Sequence, residues 1–343
     1  MELSLNKNTA NGSNAMDALS YNYKDGTNQL DHVVDAVGTV EDAADIGSQT
    51  AGNYVYNSIG QLTENKSEGV GYVYNTAGLV TQVTKDGTIE LSIQYNDRGQ
   101  RLSKTSSLGT THYVRDATGS VMGIYHDGDL IEQPIYGQNR LGVRYRDSGK
   151  TAYQLSDHLG NVRAVVMQDG DNAVSLTNRA DYYPFGMPMP NRQTTDGDYR
   201  YAYQGQEKDK ETNKEAFELR LWDSRIGRWL TTDPYGEFAS PYLGMGNNPI
   251  SLIDPDGGQT DCPDCPNSGN DPLANAITSG LGITGAPDHT KGGFANTFFN
   301  DINYSAIYIN SYKGVVIQSN IRRSKFSIGI SRQPPSNSTV PKA

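Results

Sequence analysis

A short motif recurs along the first half of the chain and constrains the fold more than any other feature of the sequence. It reads tyrosine, then asparagine or aspartate, two variable residues and glycine, with an apolar residue one to three positions later. Three copies are clear and a fourth is weaker, with 18, 21 and 20 residues between the glycines Gly60, Gly78, Gly99 and Gly119. A repeat of this length corresponds to about one β-hairpin.

The residue types of the motif suit a tight turn between two antiparallel strands. Asparagine or aspartate hydrogen-bonds to the turn backbone, and glycine tolerates a positive φ. One hairpin cannot bury its apolar side alone, so the repeats are expected to stack into a curved sheet with tyrosines in ladders on a shared face. Gly 37, Tyr 22 and a hydrophobic content of only 35% also favour many short strands. The alternative is an ordinary β-meander with coincidental turns, and three copies in register argue against it.

From about residue 151 the repeats give way to a denser series of motifs. These motifs lie at residues 153–163, 183–186, 201–207, 227–230, 233–236, 247–249 and 254–257. In this order they resemble the Rhs-associated core, and the preceding repeats resemble the YD repeat of the bacterial Rhs family. The resemblance covers roughly residues 20 to 257. It implies an all-β fold, in which stacked β-hairpins of a curled YD-repeat sheet form part of an Rhs shell that is capped by the Rhs-associated core.

The sequence predicts five segments along the chain. Residues 259–343 contain no glutamate, and the part up to about residue 288 is rich in Gly, Pro, Asn and Asp. Three short strands are expected at 304–310, 315–319 and 326–331, and helix is expected only as a turn or two near 209–216 or 272–278. The predicted segments are a disordered start at 1–20, a YD-repeat β-strip at 21–150, the Rhs-associated core at 151–258, a linker at 259–290, and a small β-rich C-terminal variable segment with a disordered end at 291–343.

Two Asp-Pro-x-Gly motifs contain the residues best suited to chemistry, Asp233 and Asp254. Two carboxylates held close together cannot both ionise cheaply, so one can polarise a carbonyl while the other activates water. The family resemblance implies that this pair, with Arg220, performs aspartic self-cleavage near Gly258. The motifs are also good turn sequences, because Asp caps a turn, Pro fixes φ and Gly supplies a positive φ. Gly258 stands where the family usually has leucine, and the spacing of the two motifs is slightly short, so both interpretations stay open.

The two cysteines, Cys262 and Cys265, have the C-x-x-C spacing of a redox pair or of half a zinc site. A zinc site needs two more ligands, and His289 is the only histidine downstream. The pair is therefore interpreted as two loop thiols, with neither a metal nor a cofactor expected.

Other candidate residues are expected to be structural. Asp157-His158 is interpreted as a capped turn and not as a catalytic pair. The aromatic residues Tyr201, Tyr203, Trp222 and Trp229 are expected in the core, with a sugar-binding platform as the alternative. The tail shows no enzyme signature.

The formal charge of -10 argues against binding of nucleic acid by the shell, which would need a basic surface. No apolar run is long enough for a membrane span, and residues 1–5 lack the basic start of a signal peptide. The family resemblance implies a protein that is secreted or at the cell surface, which would then be exported without a signal peptide of its own and be cytoplasmic before export.

The leading hypothesis is a structural and delivery role, in which a shell fragment of an Rhs-type polymorphic toxin holds or presents the variable C-terminal segment. It would act in interbacterial competition or at the cell surface, with a secretion apparatus or an immunity protein as partner. One alternative is single-turnover aspartic self-cleavage that releases the tail. The other is a surface protein whose exposed tyrosine ladders bind cell-surface carbohydrate.

Overall fold

A computed structural model describes residues 2–9, 12–37, 45–169, 173–195, 199–263, 317–319 and 328–330. The chain divides into two compact units, residues 1–275 and 276–343. Regular structure in the described residues consists of β-strands and three short 3-10 turns, at Lys66–Glu68, Tyr203–Gly205 and Met245–Asn247. Among these residues, no helix is long and apolar enough to cross a membrane. The expected all-β fold is confirmed.

The first unit begins with a three-stranded antiparallel sheet, followed by a 14-stranded antiparallel sheet in which every strand pairs with its neighbours in sequence. The first sheet contains β1 (Glu2–Thr9), β2 (Gly12–Tyr23) and β3 (Leu30–Asp35). The strands of the large sheet are β4 (Tyr54–Tyr56), β5 (Leu62–Asn65), β6 (Val70–Tyr74), β7 (Val80–Lys85), β8 (Thr88–Tyr95), β9 (Arg101–Ser106), β10 (Gly109–Arg115), β11 (Val121–His126), β12 (Asp129–Tyr136), β13 (Arg140–Tyr145), β14 (Thr151–Ser156), β15 (Val162–Asp169), β16 (Ala173–Tyr182) and β17 (Pro188–Thr195).

The turns at the repeat motifs share one hydrogen-bond pattern. In the first, the N–H of Asn57 donates to the carbonyl of Gln61, and the N–H of Gly60 donates to the carbonyl of Asn57. The Asn57 side-chain oxygen accepts from the N–H groups of Ile59 and Gln61, and Gly60 has a φ of +86°. The predicted turns are therefore confirmed. The backbone pattern recurs at turns that start at Asn75, Asn96, Asp116, Asp157, Tyr183 and Ala202.

Several tyrosines of the repeat strands lie on the covered face of the sheet. Tyr72 and Tyr113 are each only 5% exposed, and Tyr54 is 2% exposed. The hydroxyl of Tyr74 donates to the carbonyl of Leu62 at 2.6 Å. The expectation of exposed tyrosine ladders, on which the carbohydrate alternative depended, is therefore wrong for these residues.

The strands β1 and β2 lie where the sequence predicts a disordered start, so that interpretation of residues 1–20 is wrong for the described residues. Leu19 is buried in the main core of the unit. Leu5 and Met16 pack together with Tyr183 in a separate apolar cluster. Burial of these side chains is what orders the segment.

Residues 199–263 are here called the core segment, and they contain a small four-stranded antiparallel sheet, built from β18 (Glu207–Lys208), β19 (Glu215–Ala216), β20 (Leu221–Asp223) and β21 (Arg228–Trp229). Trp222 and Trp229 are buried with ring centroids 4.8 Å apart. Tyr203 and Tyr201 are buried as well, at 1% and 8% exposure. The four aromatic residues are therefore core residues, as expected. The sequence 209–216, considered as a helical turn, contains no helix.

Buried ion pairs join this core segment to the large sheet. Arg101 in β9 donates two hydrogen bonds of 2.8 Å to the carboxylate of Asp209, and Lys104 lies 3.2 Å from the same carboxylate. Arg200 pairs with Glu132 in β12. Burial alone would raise the pKa of Asp209, but the charges of Arg101 and Lys104 outweigh it and hold that pKa below its ordinary value.

The second unit is described only at β22 (Ile317–Ser319) and β23 (Ile328–Ile330), which form an antiparallel pair. They lie within two of the three stretches predicted as strands. The third stretch, 304–310, the possible helical turn at 272–278 and most of the predicted linker lie outside the described residues.

Candidate aspartate–arginine site

The structure brings the three predicted site residues together. Arg220 precedes β20, Asp233 follows β21, and Asp254 lies in the loop near the end of the described core segment. The Arg220 Nη2 atom is 3.8 Å from Asp233 Oδ1 and 3.6 Å from Asp254 Oδ2. All three side chains are at most 2% exposed. The two carboxylates therefore share one guanidinium nitrogen in a site removed from solvent.

Each carboxylate also caps its own Asp-Pro-x-Gly turn. Asp233 accepts from the N–H groups of Tyr235 at 2.9 Å and Glu237 at 3.2 Å. Asp254 Oδ1 accepts from the N–H groups of Gly257 at 2.7 Å and Gly258 at 3.0 Å. Both aspartates are thus turn residues. They can still meet at Arg220, because Asp254 Oδ2 does not cap the turn and faces Arg220.

Several contacts fix the position of the Arg220 side chain. Its Nε donates to the carbonyl of Gly257, and its Nη1 donates to the carbonyl of Pro241 at 3.3 Å. The guanidinium carbon lies 4.3 Å from the centroid of the Trp229 ring, a favourable cation–π arrangement. Burial lowers the pKa of Arg220, and the neighbouring carboxylates oppose that change.

The electrostatics of the site make Asp254 easier to protonate than an ordinary aspartate. Burial raises the pKa of Asp254 to about 6, although Arg220 and the N–H groups of Gly257 and Gly258 partly offset the rise. The charge of Asp256 adds to it. A carboxyl group that is partly protonated near neutral pH, beside a second carboxylate, is the arrangement that acid–base chemistry at a carbonyl requires.

The structure also shows why glycine occupies position 258. A Cβ atom there would lie 2.6 Å from Tyr235 Cε2 and 2.8 Å from Leu219 Cδ1. These two side chains therefore fill the space that the family's usual leucine would need. Beyond Gly258 the chain pairs back on the loop, since Ile253 and Asp261 exchange two backbone hydrogen bonds.

The Asp157-His158 pair belongs to a turn, as expected. Asp157 Oδ1 accepts from the N–H groups of Leu159 and Asn161, each at 3.0 Å. His158 Nε2 lies 3.1 Å from the carbonyl of Ile250. Asp157 therefore caps its own turn.

The interpretation of the cysteines as loop thiols is wrong for Cys262, which is disulfide-bonded. No described cysteine is a free thiol. The other cysteine of the chain, Cys265, lies outside the described residues.

Sequence reasoning missed a group of three buried carboxylates, Asp17, Asp35 and Asp45. Their ligand oxygens all lie within 4.8 Å of one another, so the group could hold a hard cation. Burial raises the pKa of Asp17 to about 7, and the charges of Asp45 and Asp35 add to that shift. The three residues are distant in sequence and match no spacing motif, so no local signal could have identified them.

Comparison with known proteins identifies relatives of very different lengths. The salivary gland surface protein 1 of Aedes aegypti is 31% identical over 190 residues, which are 50% of this chain and 6% of the relative. The tRNA3(Ser)-specific nuclease WapA of Bacillus spizizenii is 25% identical over 265 residues, 68% of this chain and 11% of the relative. Toxin subunit YenC2 of Yersinia entomophaga is 27% identical over 190 residues, 48% of this chain and 19% of the relative. The chain spans less than a fifth of the length of each.

A solved structure, the crystal structure of TcdB2-TccC3-Cdc42, matches 73% of this chain and 14% of its own chain, with 18% identity and a TM-score of 0.46. The family model described as Teneurin YD-shell matches residues 5–243. Because that match covers well over half of the sequence, the chain belongs to the Teneurin YD-shell family and is an Rhs/YD-repeat protein.

Proposed function

We propose that the chain is the end of an Rhs-type toxin shell, which holds or presents the variable segment that follows Gly258. The observation that carries this proposal is the fastening of the core segment by buried ion pairs. Arg101 and Lys104 bind Asp209, and Arg200 binds Glu132. The residues that lead into the variable segment are thus attached to the large sheet at several points.

The role would be delivery in interbacterial competition or presentation at the cell surface. A secretion apparatus would carry the chain out of the cell, and an immunity protein would neutralise the variable segment inside it. In a test, a producing strain is grown with a sibling that lacks the gene directly downstream. The proposal is supported if the sibling is lost when the producer's protein contains residues 259–343 and survives when those residues are removed. Equal survival with and without those residues contradicts it.

Self-cleavage is a second candidate function, favoured by the convergence of Asp233 and Asp254 on Arg220. In this reaction Asp233 takes a proton from a water molecule as that water adds to the scissile carbonyl carbon near Gly258. The protonated Asp254 polarises the carbonyl oxygen. Collapse of the tetrahedral intermediate breaks the C–N bond, and a proton passes to the leaving amine.

Intact mass spectrometry tests self-cleavage. The wild-type chain should arrive cut near Gly258, and Asp233→Asn and Asp254→Asn should each leave it uncut, because asparagine keeps the turn cap but cannot exchange the proton. Asp116→Asn is the matched control, because Asp116 caps an exposed repeat turn away from the site, and this variant should still be cut. An intact wild-type chain would contradict self-cleavage while leaving the holding role in place.

A further inference from the structure

The loop that carries Asp254 is held by two glutamine side chains of the turn at residues 202–206, here called the core turn. Gln204 Oε1 accepts a hydrogen bond of 2.8 Å from the backbone N–H of Asp254. Gln206 Nε2 donates to the carbonyl of Pro255 at 3.0 Å. Because both bonds are made to the loop backbone, the Asp254 carboxylate remains available to Arg220 and its other partners in the site. The core turn therefore fixes the backbone from which that carboxylate is presented.

Gln204 has a backbone conformation that glutamine rarely adopts. Its φ and ψ are 49° and 27°, in the left-handed region. Six other turns share the hydrogen-bond pattern of the core turn, and none has a positive φ at the corresponding residue, which is Ile59, Ala77, Arg98, Thr118, Leu159 or Phe185. The turn can therefore close without this conformation. Strained backbone of this kind persists where the surroundings hold it, and it is concentrated at functional sites.

The contacts of Gln204 explain what holds it. The core turn starts with Ala202, which has no side-chain oxygen to cap the turn. The N–H of Gln204 donates instead to Asn161 Oδ1 at 2.9 Å. The side-chain amide of Asn161 donates in turn to Asp157 Oδ2 at 3.0 Å. The motif at residues 157–161 is thus connected through Gln204 to the loop of Asp254.

We propose that Gln204, oriented by Asn161, is a positioning residue of the aspartate site. Its side-chain oxygen fixes the Asp254 loop so that the Asp254 carboxylate faces Arg220. Gln204 acts through the backbone of Asp254 and not on a reacting atom. This inference rests on the proposed self-cleavage, because the position of the loop affects the reaction only if the chain cuts itself.

The first test separates positioning from a contribution to folding. Gln204→Gly relieves the left-handed backbone, so the unfolding temperature should not fall, yet it removes the hydrogen bond to Asp254. Self-cleavage, followed by intact mass, should slow by at least about tenfold. Asn213→Gly is the matched control, because Asn213 is also left-handed, with a φ of 55°, and lies in the turn after Asp209. That control should cut at the wild-type rate, and an unchanged rate in Gln204→Gly would overturn the proposal.

The second test does not depend on cleavage. Carboxyl NMR titration of Asp254 is performed in an uncut Asp233→Asn background, with and without Gln204→Leu, and Asp254→Asn identifies the signal. Loss of the hydrogen bond should loosen the loop, expose the carboxyl group and lower the pKa of Asp254 towards its ordinary value. An unchanged pKa would overturn positioning. A shifted pKa in a protein whose wild-type chain never cuts would refute self-cleavage alone and support the role of Gln204 in holding the loop.

Discussion

The exchange Glu215→Gln is expected to remove a pH dependence of folding stability that burial imposes on the core. Glu215 in β19 is 0% exposed. Its Oε1 accepts from Ser224 Oγ at 3.2 Å and lies 3.7 Å from Lys208 Nζ, while its Oε2 has no hydrogen-bond partner in the described residues. Burial raises the pKa of Glu215 from 4.5 to about 7. Near neutral pH the folded chain therefore keeps a proton that the unfolded chain has released.

The sign and size of the effect follow from this difference. Because the folded pKa is the higher one, the free energy of unfolding falls as the pH rises from about 4.5 to about 7. The shift corresponds to about 3 kcal/mol, at about 1.4 kcal/mol for each pKa unit. Glutamine resembles the protonated carboxyl group and does not titrate. Glu215→Gln should therefore match the wild type near pH 4.5 and exceed its stability by about 3 kcal/mol at pH 8.

Urea unfolding at several pH values measures this difference, with the fluorescence of the buried Trp222 and Trp229 as the signal. They are the only tryptophans of the chain. Other titrating groups cancel when the free energy of the wild type is subtracted from that of the variant. Glu218→Gln, at an exposed site three residues away, is the control for the change from glutamate to glutamine itself. A difference for Glu215→Gln that is the same at pH 5 and pH 8 would refute the reasoning.

Three further predictions concern the site and the core. The rate of self-cleavage, measured by intact mass, should fall about tenfold per pH unit above about pH 6, because burial raises the pKa of Asp254 to about 6 and the reaction needs its protonated form. A rate independent of pH between 5 and 8 would contradict this. Gly186→Ala should lower stability in urea by about 2 to 4 kcal/mol, since φ is 92° and the new Cβ would lie 2.3 Å from the Tyr203 ring; an unchanged midpoint would rule out the clash. Arg101→Met should lower the free energy of unfolding by about 3 to 5 kcal/mol, because the Asp209 charge stays buried without its main partner. Adding Asp209→Asn should recover part of this loss. No recovery would show that the two residues are not coupled.

Local chemistry explains why the repeat turns could be predicted from the sequence. Asn75 Oδ1 accepts from the N–H groups of Ala77 and Leu79, each at 3.0 Å. All the partners lie within four residues of the capping side chain, so the motif itself contains the information. The same reasoning identified the turn at Asp157, where a catalytic pair was the alternative.

The first strands were missed because a charged residue occupies a core position. Asp17, Leu19 and Tyr21 are the buried residues on one face of β2, at 1%, 1% and 7% exposure. A carboxylate at the first of these positions interrupts the apolar alternation by which a strand is recognised. The N–H of Ile46, 29 residues away, donates to the Asp17 carboxylate at 3.1 Å. Nothing near Asp17 in the sequence indicates that contact.

The aspartate site was only partly accessible to sequence reasoning. Family resemblance named Asp233, Asp254 and Arg220, but residue types alone could not decide between turn residues and a convergent pair. The structure shows that both descriptions apply. Gln204 was not identified, because its contact with Asp254 joins residues 50 positions apart and requires a backbone conformation that the sequence does not specify.

The strand order of the large sheet has a consequence for how such chains can change in length. Since every strand from β4 to β17 pairs with its sequence neighbours, duplication or loss of a whole hairpin leaves the remaining strands paired as before. Contacts with the core segment limit such changes, because Glu68, Arg101 and Glu132, which belong to successive parts of the sheet, each form an ion pair with that segment. Glu68 lies between β5 and β6, and Glu132 lies in β12. The number of hairpins between these positions is therefore set by the spacing of the ion pairs.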